Sequence, residues 1–120
     1  MSRRPRGEVG AATAELALGI PLLVALTAGL VWMLAVGAAQ VRVIDASREA
    51  ARVVARGDDV AAAEAVAARI APEGARVRVE VGGTQVVVTT SARVSGPGGL
   101  LGSLPGVTVS SEAVATVEEP

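Results

Sequence analysis

Apolar and polar positions follow three different patterns along this chain, an uncharged run, a helical period and a period of two, each predicting a different element. Residues 16–41, LALGIPLLVALTAGLVWMLAVGAAQV, carry no charge, and only Thr27 and Gln40 are polar among them. A helix needs about 20 apolar residues to cross a bilayer core, whereas the apolar region of a secretory signal covers only about 7–15. The run therefore predicts a membrane-spanning helix. A buried helix of a soluble protein fits poorly, because the remaining residues are too few and too rich in Gly, Arg and Glu to enclose it on all sides. A cleaved signal peptide stays open as a rival: Gly37-Ala38-Ala39 offers small residues for a leader peptidase, and the product would begin near Gln40.

Residues 42–56, RVIDASREAARVVAR, are amphipathic. Val43, Ala46, Ala50, Val53 and Val54 fall on one side, while Arg42, Asp45, Glu49, Arg52 and Arg56 fall on another, with Arg42–Asp45 and Glu49–Arg52 spaced for ion pairs. With no Gly or Pro to stop it, the helix is expected to run on beyond the bilayer; from about residue 12 to Arg56 it would be about 67 Å long. Gly57 supplies a C-terminal cap. Asp58-Asp59 open a second, Ala-rich helix that ends before Pro72 and Gly74.

From Ala75 the period becomes two: Val77, Val79 and Val81 alternate with Arg76, Arg78 and Glu80, the signature of a half-buried strand. Gly82-Gly83 provides a turn, and residues 85–94 and 107–117 read as second and third strands of an antiparallel meander. The Gly/Pro-rich connection between them, residues 95–106, carries Leu100, Leu101 and Leu104, which either fold back onto the sheet or meet a partner. The expected fold class is α+β: a long N-terminal transmembrane helix, a short second helix and a small three-stranded antiparallel sheet. The expected division is a basic leader (1–10), a transmembrane helix with its amphipathic extension (11–57) and a small α+β head (58–120). So small a head, with no disulfide, needs support from the extended helix or a neighbouring subunit.

Composition changes this picture mainly by subtraction. In 120 residues, 51% of them hydrophobic, there is no His, Cys, Tyr or Phe, and all 11 basic residues are Arg. Imidazole and thiolate metal sites, Ser/His and Cys/His pairs and Schiff-base lysines are thereby removed, so neither an enzyme nor a cofactor or small-molecule substrate is expected. Asp58, Asp59 and Glu64 match no calcium-loop spacing and read as a solvated helix start. A net charge of −1 and a single Trp argue against nucleic acid. Residues 1–10, MSRRPRGEVG, read as a disordered basic leader at the membrane face. Arg3, Arg4 and Arg6 before the span are balanced by Arg42, Arg48, Arg52 and Arg56 after it, so charge alone does not set orientation. If the helix continues past the bilayer, Arg52 and Arg56 stand away from the surface, which tilts the count toward a cytoplasmic N terminus.

Glu15 borders the apolar run, where a carboxylate drawn to mid-membrane costs up to ~2.5–3.5 kcal/mol. It either stays hydrated at the headgroups, near the positive end of the helix dipole, or finds a partner. Gly10 is followed by Ala11, Ala12, Thr13 and Ala14, then Glu15 and the run, a spacing that resembles a prepilin processing site. The stretch GAATAELALGIP resembles the TadE-like minor pilins, or pseudopilins, of tight-adherence (Flp-type) pilus systems. Residues 45–58, DASREAARVVARGD, look like the Ala/Arg-rich stretch of actinobacterial members. The resemblance covers roughly residues 7–58; Leu16 departs from it, an aromatic being common there.

The resemblance implies a pilin-like fold and a structural role in the cell membrane, as a single-pass subunit with its N terminus cytoplasmic and its head extracytoplasmic. A membrane aspartic prepilin peptidase would cut between Gly10 and Ala11. The new α-amino group of Ala11, mostly cationic at neutral pH, would then pair with Glu15 of a neighbour or of the same subunit. Implied partners are other pilin or pseudopilin subunits and the pilus assembly platform. An anchored extracytoplasmic adaptor with an uncleaved leader is the alternative. Pro21, lacking the N–H that would bond the Ala17 carbonyl, should kink or loosen the helix. That is either the general tolerance of membrane helices for proline or a means of leaving the bilayer for a filament. Ala25, Gly29 and Gly37 share a row that permits close helix packing, unless the glycines are incidental among lipid-facing leucines. Trp32, mid-span, reads as a packing residue.

Overall fold

The computed structural model describes residues 6–96 and 106–117, with side chains from Gly7 onward. Leu100, Leu101 and Leu104 lie outside the described residues, as do Arg3 and Arg4. The fold is α+β: α1 (Arg6–Ala55), α2 (Val60–Ile70) and an antiparallel sheet of β1 (Arg76–Gly82), β2 (Gln85–Val94) and β3 (Val107–Thr116) in the order β1-β2-β3. By its contacts the chain divides into two compact units, Met1–Met33 and Leu34–Pro120.

Helix α1 starts at Arg6, so residues 6–10 of the leader are helical where the sequence suggested disorder. Once the apolar run has nucleated a helix, each added residue extends it cheaply, and Glu8 in the first turn complements the helix dipole. The helix passes through Pro21 and ends in a Schellman motif. The Gly57 N–H donates to the Val54 carbonyl at 3.0 Å and the Asp58 N–H to the Val53 carbonyl at 3.2 Å. Gly57 holds φ +101°, the left-handed conformation that this cap requires and glycine adopts without strain. Asp59 then caps α2, its carboxylate accepting from the Ala62 N–H at 2.8 Å.

In the sheet, Gly82 pairs with Gln85, leaving Gly83-Thr84 as the turn centre. Positive φ at Gly83 (+58°) and at no non-glycine residue fits a type II′ turn, whose twist matches the flanking strands. Val86, Val88, Thr90 and Ala92 of β2 are buried on the helix side of the sheet; Val77, Val79 and Val81 of β1 pair into that same face opposite Thr90, Val88 and Val86.

The unit Leu34–Pro120 is built on the second half of α1. Val43, Ala46 and Ala50 are fully buried, and Val53 and Val54 nearly so, which is the apolar face that the spacing marked out. Ala46, Ala50, Ala51, Val53 and Val54 form one core cluster with Ala63, Ala67 and Ala71 and with Val86 and Val88. A second cluster joins Ala39 and Val43 to Ala92 and Val109, with Val36, Ala75 and Val94 packed at its margin. The α1 side is mostly Ala and Val, which lets the helix lie close on the sheet. Of the anticipated pairs, Arg52–Glu49 forms at 3.2 Å, whereas Arg42–Asp45 is absent among the described ion pairs. Two buried hydroxyls interrupt the apolar core. Ser47 Oγ lies 2.7 Å from Thr90 Oγ1 and 3.1 Å from the Ser111 carbonyl oxygen. A hydroxyl carries one proton, so both contacts are satisfied when Ser47 donates to the carbonyl and accepts from Thr90.

Candidate processing and assembly site

Residues 10–33, where the sequence placed most of the site, belong to the unit Met1–Met33. Gly10 sits within α1 and is exposed, and a Cβ built on it meets nothing within 4 Å. Glycine in a helix interior costs about 0.8–1.0 kcal/mol relative to alanine, so packing among the described residues gives no reason for glycine here. Ala11 and Glu15 stand four apart and therefore share a face of the helix. Glu15 is exposed and takes part in none of the ion pairs among the described residues. Between them, the Thr13 hydroxyl donates to the Val9 carbonyl at 3.0 Å, satisfying its hydroxyl within its own helix.

Pro21 lies inside α1, so the Ala17 carbonyl has no N–H four residues on. Ala25 and Gly37 are exposed and Gly29 half-buried, and a Cβ at either glycine again meets nothing within 4 Å. The row is thus open for close approach by another helix. Trp32 is half-buried, and its indole Nε1 is shielded without a hydrogen-bond partner among the described residues.

Large apolar side chains of this segment face outward. Leu18 is 76% exposed, Leu22 70% and Met33 67%. The apolar window has a mean hydropathy of 2.2 with only 6% of it buried, so the helix is long and apolar enough to cross a membrane and is not the enclosed core helix of a soluble domain. It fits a single-pass membrane anchor. Among the described residues, no group of three or more His, Cys, Asp or Glu is placed to hold a metal ion.

Residues 10–52 match the family described as TadE-like protein. The chain is TadE-like over that region. The TadE-like region takes in Gly10, Glu15, Pro21 and the whole uncharged run, and extends into the half of α1 that packs beneath the sheet. The chain is also similar to apoptosis inhibitor Rv3655c of Mycobacterium tuberculosis, at 43% identity over 79 residues, 66% of this chain and 57% of that protein. It thus spans little more than half the length of this relative. No solved structure matches the chain.

One polar feature escaped the sequence reading. Arg76 lies opposite Ser91, and Arg93 opposite Thr108, on the sheet face turned away from α1. The four side chains line a cavity of about 410 Å³. Each arginine alone looks like the solvated position of an alternating strand, and only the register brings them together.

Proposed function

We propose that this TadE-like chain is a minor pilin or pseudopilin. It is inserted in the membrane by residues 16–41 with its N terminus cytoplasmic, trimmed between Gly10 and Ala11 by a prepilin peptidase, and assembled into, or used to initiate, a tight-adherence pilus. What carries the reading is that the TadE-like region opens at residue 10, the glycine of the processing spacing, and includes Glu15 ahead of the apolar run. The openness around Gly10 supports it: with no contact among the described residues to demand glycine, the demand falls on something that must approach the backbone closely, as a peptidase does. Because residues 6–10 are helical, the peptidase has to unwind them, and Gly7 and Gly10 make that easier.

Trimming removes Arg3, Arg4 and Arg6 and leaves a cationic amine on Ala11 for an exposed Glu15 carboxylate that has no ion-pair partner among the described residues. Two charges that are each expensive in an apolar bundle then satisfy one another between subunits and fix their axial register. Pro21, Ala25, Gly29 and Gly37 contribute a loosened turn and a row open to a neighbouring helix. The role is assembly, without turnover of a substrate.

Mass spectrometry of the mature N terminus in the membrane fraction tests the proposal. A start at Ala11 is expected in cells containing the peptidase, Gly10→Leu should abolish trimming, and Glu15→Ala should leave trimming intact while depleting the subunit from pili. An intact Met1 in those cells favours the anchored adaptor, and a start near Gln40 a secreted product; either overturns the assignment.

A further inference from the structure

We infer that the cavity between Arg76 and Arg93 binds the phosphate of an anionic phospholipid at the membrane surface beside the span. The inference rests on the reading of residues 16–41 as a span and is independent of trimming after Gly10.

The position of the cavity follows from packing within one unit. Strand β2 runs antiparallel to the second half of α1: Ser47 meets Thr90, Ala39 and Val43 share a cluster with Ala92 and Val109, and Val36, Ala75 and Val94 pack against that cluster. The start of β1 and the end of β2 are therefore level with the stretch of α1 from Val36 to Val43. If the uncharged run enters the bilayer at Leu16, about 20 residues of helix exhaust the hydrocarbon core, so Val36 to Val41 lie among the headgroups. Gln40, in that stretch, donates its side-chain N–H to the Ser110 carbonyl at 3.2 Å, holding the sheet at this level. Arg76 and Arg93 are thus carried at headgroup depth.

The cavity is suited to a phosphodiester. Two guanidiniums provide planar, permanently charged donor forks, the Ser91 and Thr108 hydroxyls add donors, and no carboxylate among the described residues lines it. Neither arginine joins an ion pair among the described residues, whereas Arg78, the next outward-facing residue of β1, is paired with Glu80 at 3.5 Å. Gly106 makes room for the arrangement: a Cβ there would stand 3.0 Å from Arg93 Nε and 2.8 Å from the Val94 carbonyl oxygen. Two like charges lining one cavity at a lipid surface favour an anionic headgroup and disfavour a choline.

The chain has no cysteine, so single labels are unambiguous. The full chain, with a fluorophore on Ser110→Cys, is placed in nanodiscs of mixed phosphatidylglycerol and phosphatidylcholine, one lipid at a time carrying a headgroup quencher. At about 1 kcal/mol per arginine near the surface, quenching should report a roughly 30-fold preference for phosphatidylglycerol. Arg76→Gln or Arg93→Gln alone should leave roughly fivefold, the double variant none, and Arg78→Gln should change little. Equal quenching by the two lipids, or a preference that survives the double substitution, overturns the inference. So does its loss on adding millimolar inorganic phosphate at constant ionic strength, which would make the ligand a free anion. A second label, on Leu23→Cys, separates the two readings. If it is buried in lipid while Ser110→Cys shows no preference, only this inference fails; if it is in water, the span itself fails.

Discussion

The two halves of α1 obey the same helical geometry and face different solvents. In the half up to Met33, the large side chains point outward: Leu16, Leu18, Leu22, Leu23 and Leu26 are all more than half exposed. In the half from Leu34, the side chains that matter are small and buried, with Ala46, Ser47 and Ala50 at zero exposure. A helix that lipid will cover can be leucine all round, because lipid tails adapt to any shape. A helix that must lie on a preformed sheet needs small residues on the contact face and charges elsewhere. Hydrophobicity is common to both halves; side-chain size and the placement of charge distinguish membrane from protein as the covering medium.

The comparison breaks most visibly if charge enters the first half. Leu22→Arg with Leu26→Arg should disfavour insertion by roughly 5–7 kcal/mol, twice the cost of one arginine at a span centre. The double variant is expected to leave the membrane pellet on alkaline extraction, while protease resistance of residues 34–96 is retained. If the chain remains membrane-integral, the first half is not what anchors it.

Enlarging a side chain separates the halves by a smaller margin. Ala50→Leu adds bulk where exposure is zero and the facing strand residues Val86 and Val88 are themselves buried, so thermal unfolding should show a loss of about 1–3 kcal/mol. Ala25→Leu, at an exposed position in the first half, should leave that unfolding unchanged. Ser47→Ala should cost a comparable ~1–3 kcal/mol, because the Ser111 carbonyl and the Thr90 hydroxyl each lose their partner inside the core. Adding Thr90→Val should recover part of that loss by removing one of the two orphaned groups, and a double-mutant cycle measures how much.

The elements were legible where local chemistry and tertiary packing agree. The uncharged run, the spacing of Val43, Ala46, Ala50, Val53 and Val54, the Gly57 stop with its aspartate start, and the period of two after Ala75 each have a backbone cause within a few residues. What depends on long-range register was not legible. Ser47 shares the apolar face with Val43, Ala50 and Val54 by its spacing, but the partners that satisfy its hydroxyl, Thr90 and the Ser111 carbonyl, come only from the distant strands. Arg76 and Arg93 are 17 positions apart and meet only through the β1–β2 pairing. The helical start at Arg6 was missed because two glycines and a proline in the leader weigh against helix locally, while propagation from the apolar run outweighs them. The spacing proposed for processing was noticed because a glycine and a glutamate five positions apart abut an uncharged run; either residue alone is too common to suggest a site.

The smallest expected effect tests whether the second half of α1 has water on its outer face. Glu49 and Arg52 are paired at 3.2 Å, but the side chains are 36% and 66% exposed, so the attraction is screened and partly offset by the entropy of holding two long side chains. Glu49→Gln keeps the shape and removes the charge, and should lower stability by no more than about 0.3–0.5 kcal/mol at low salt. At 1 M salt, where the screening length falls to about 3 Å, the difference should vanish. A larger loss that persists in salt would mean that this face of the helix is covered by something other than water, and the contrast between the two halves would then be one of partners, not of solvent.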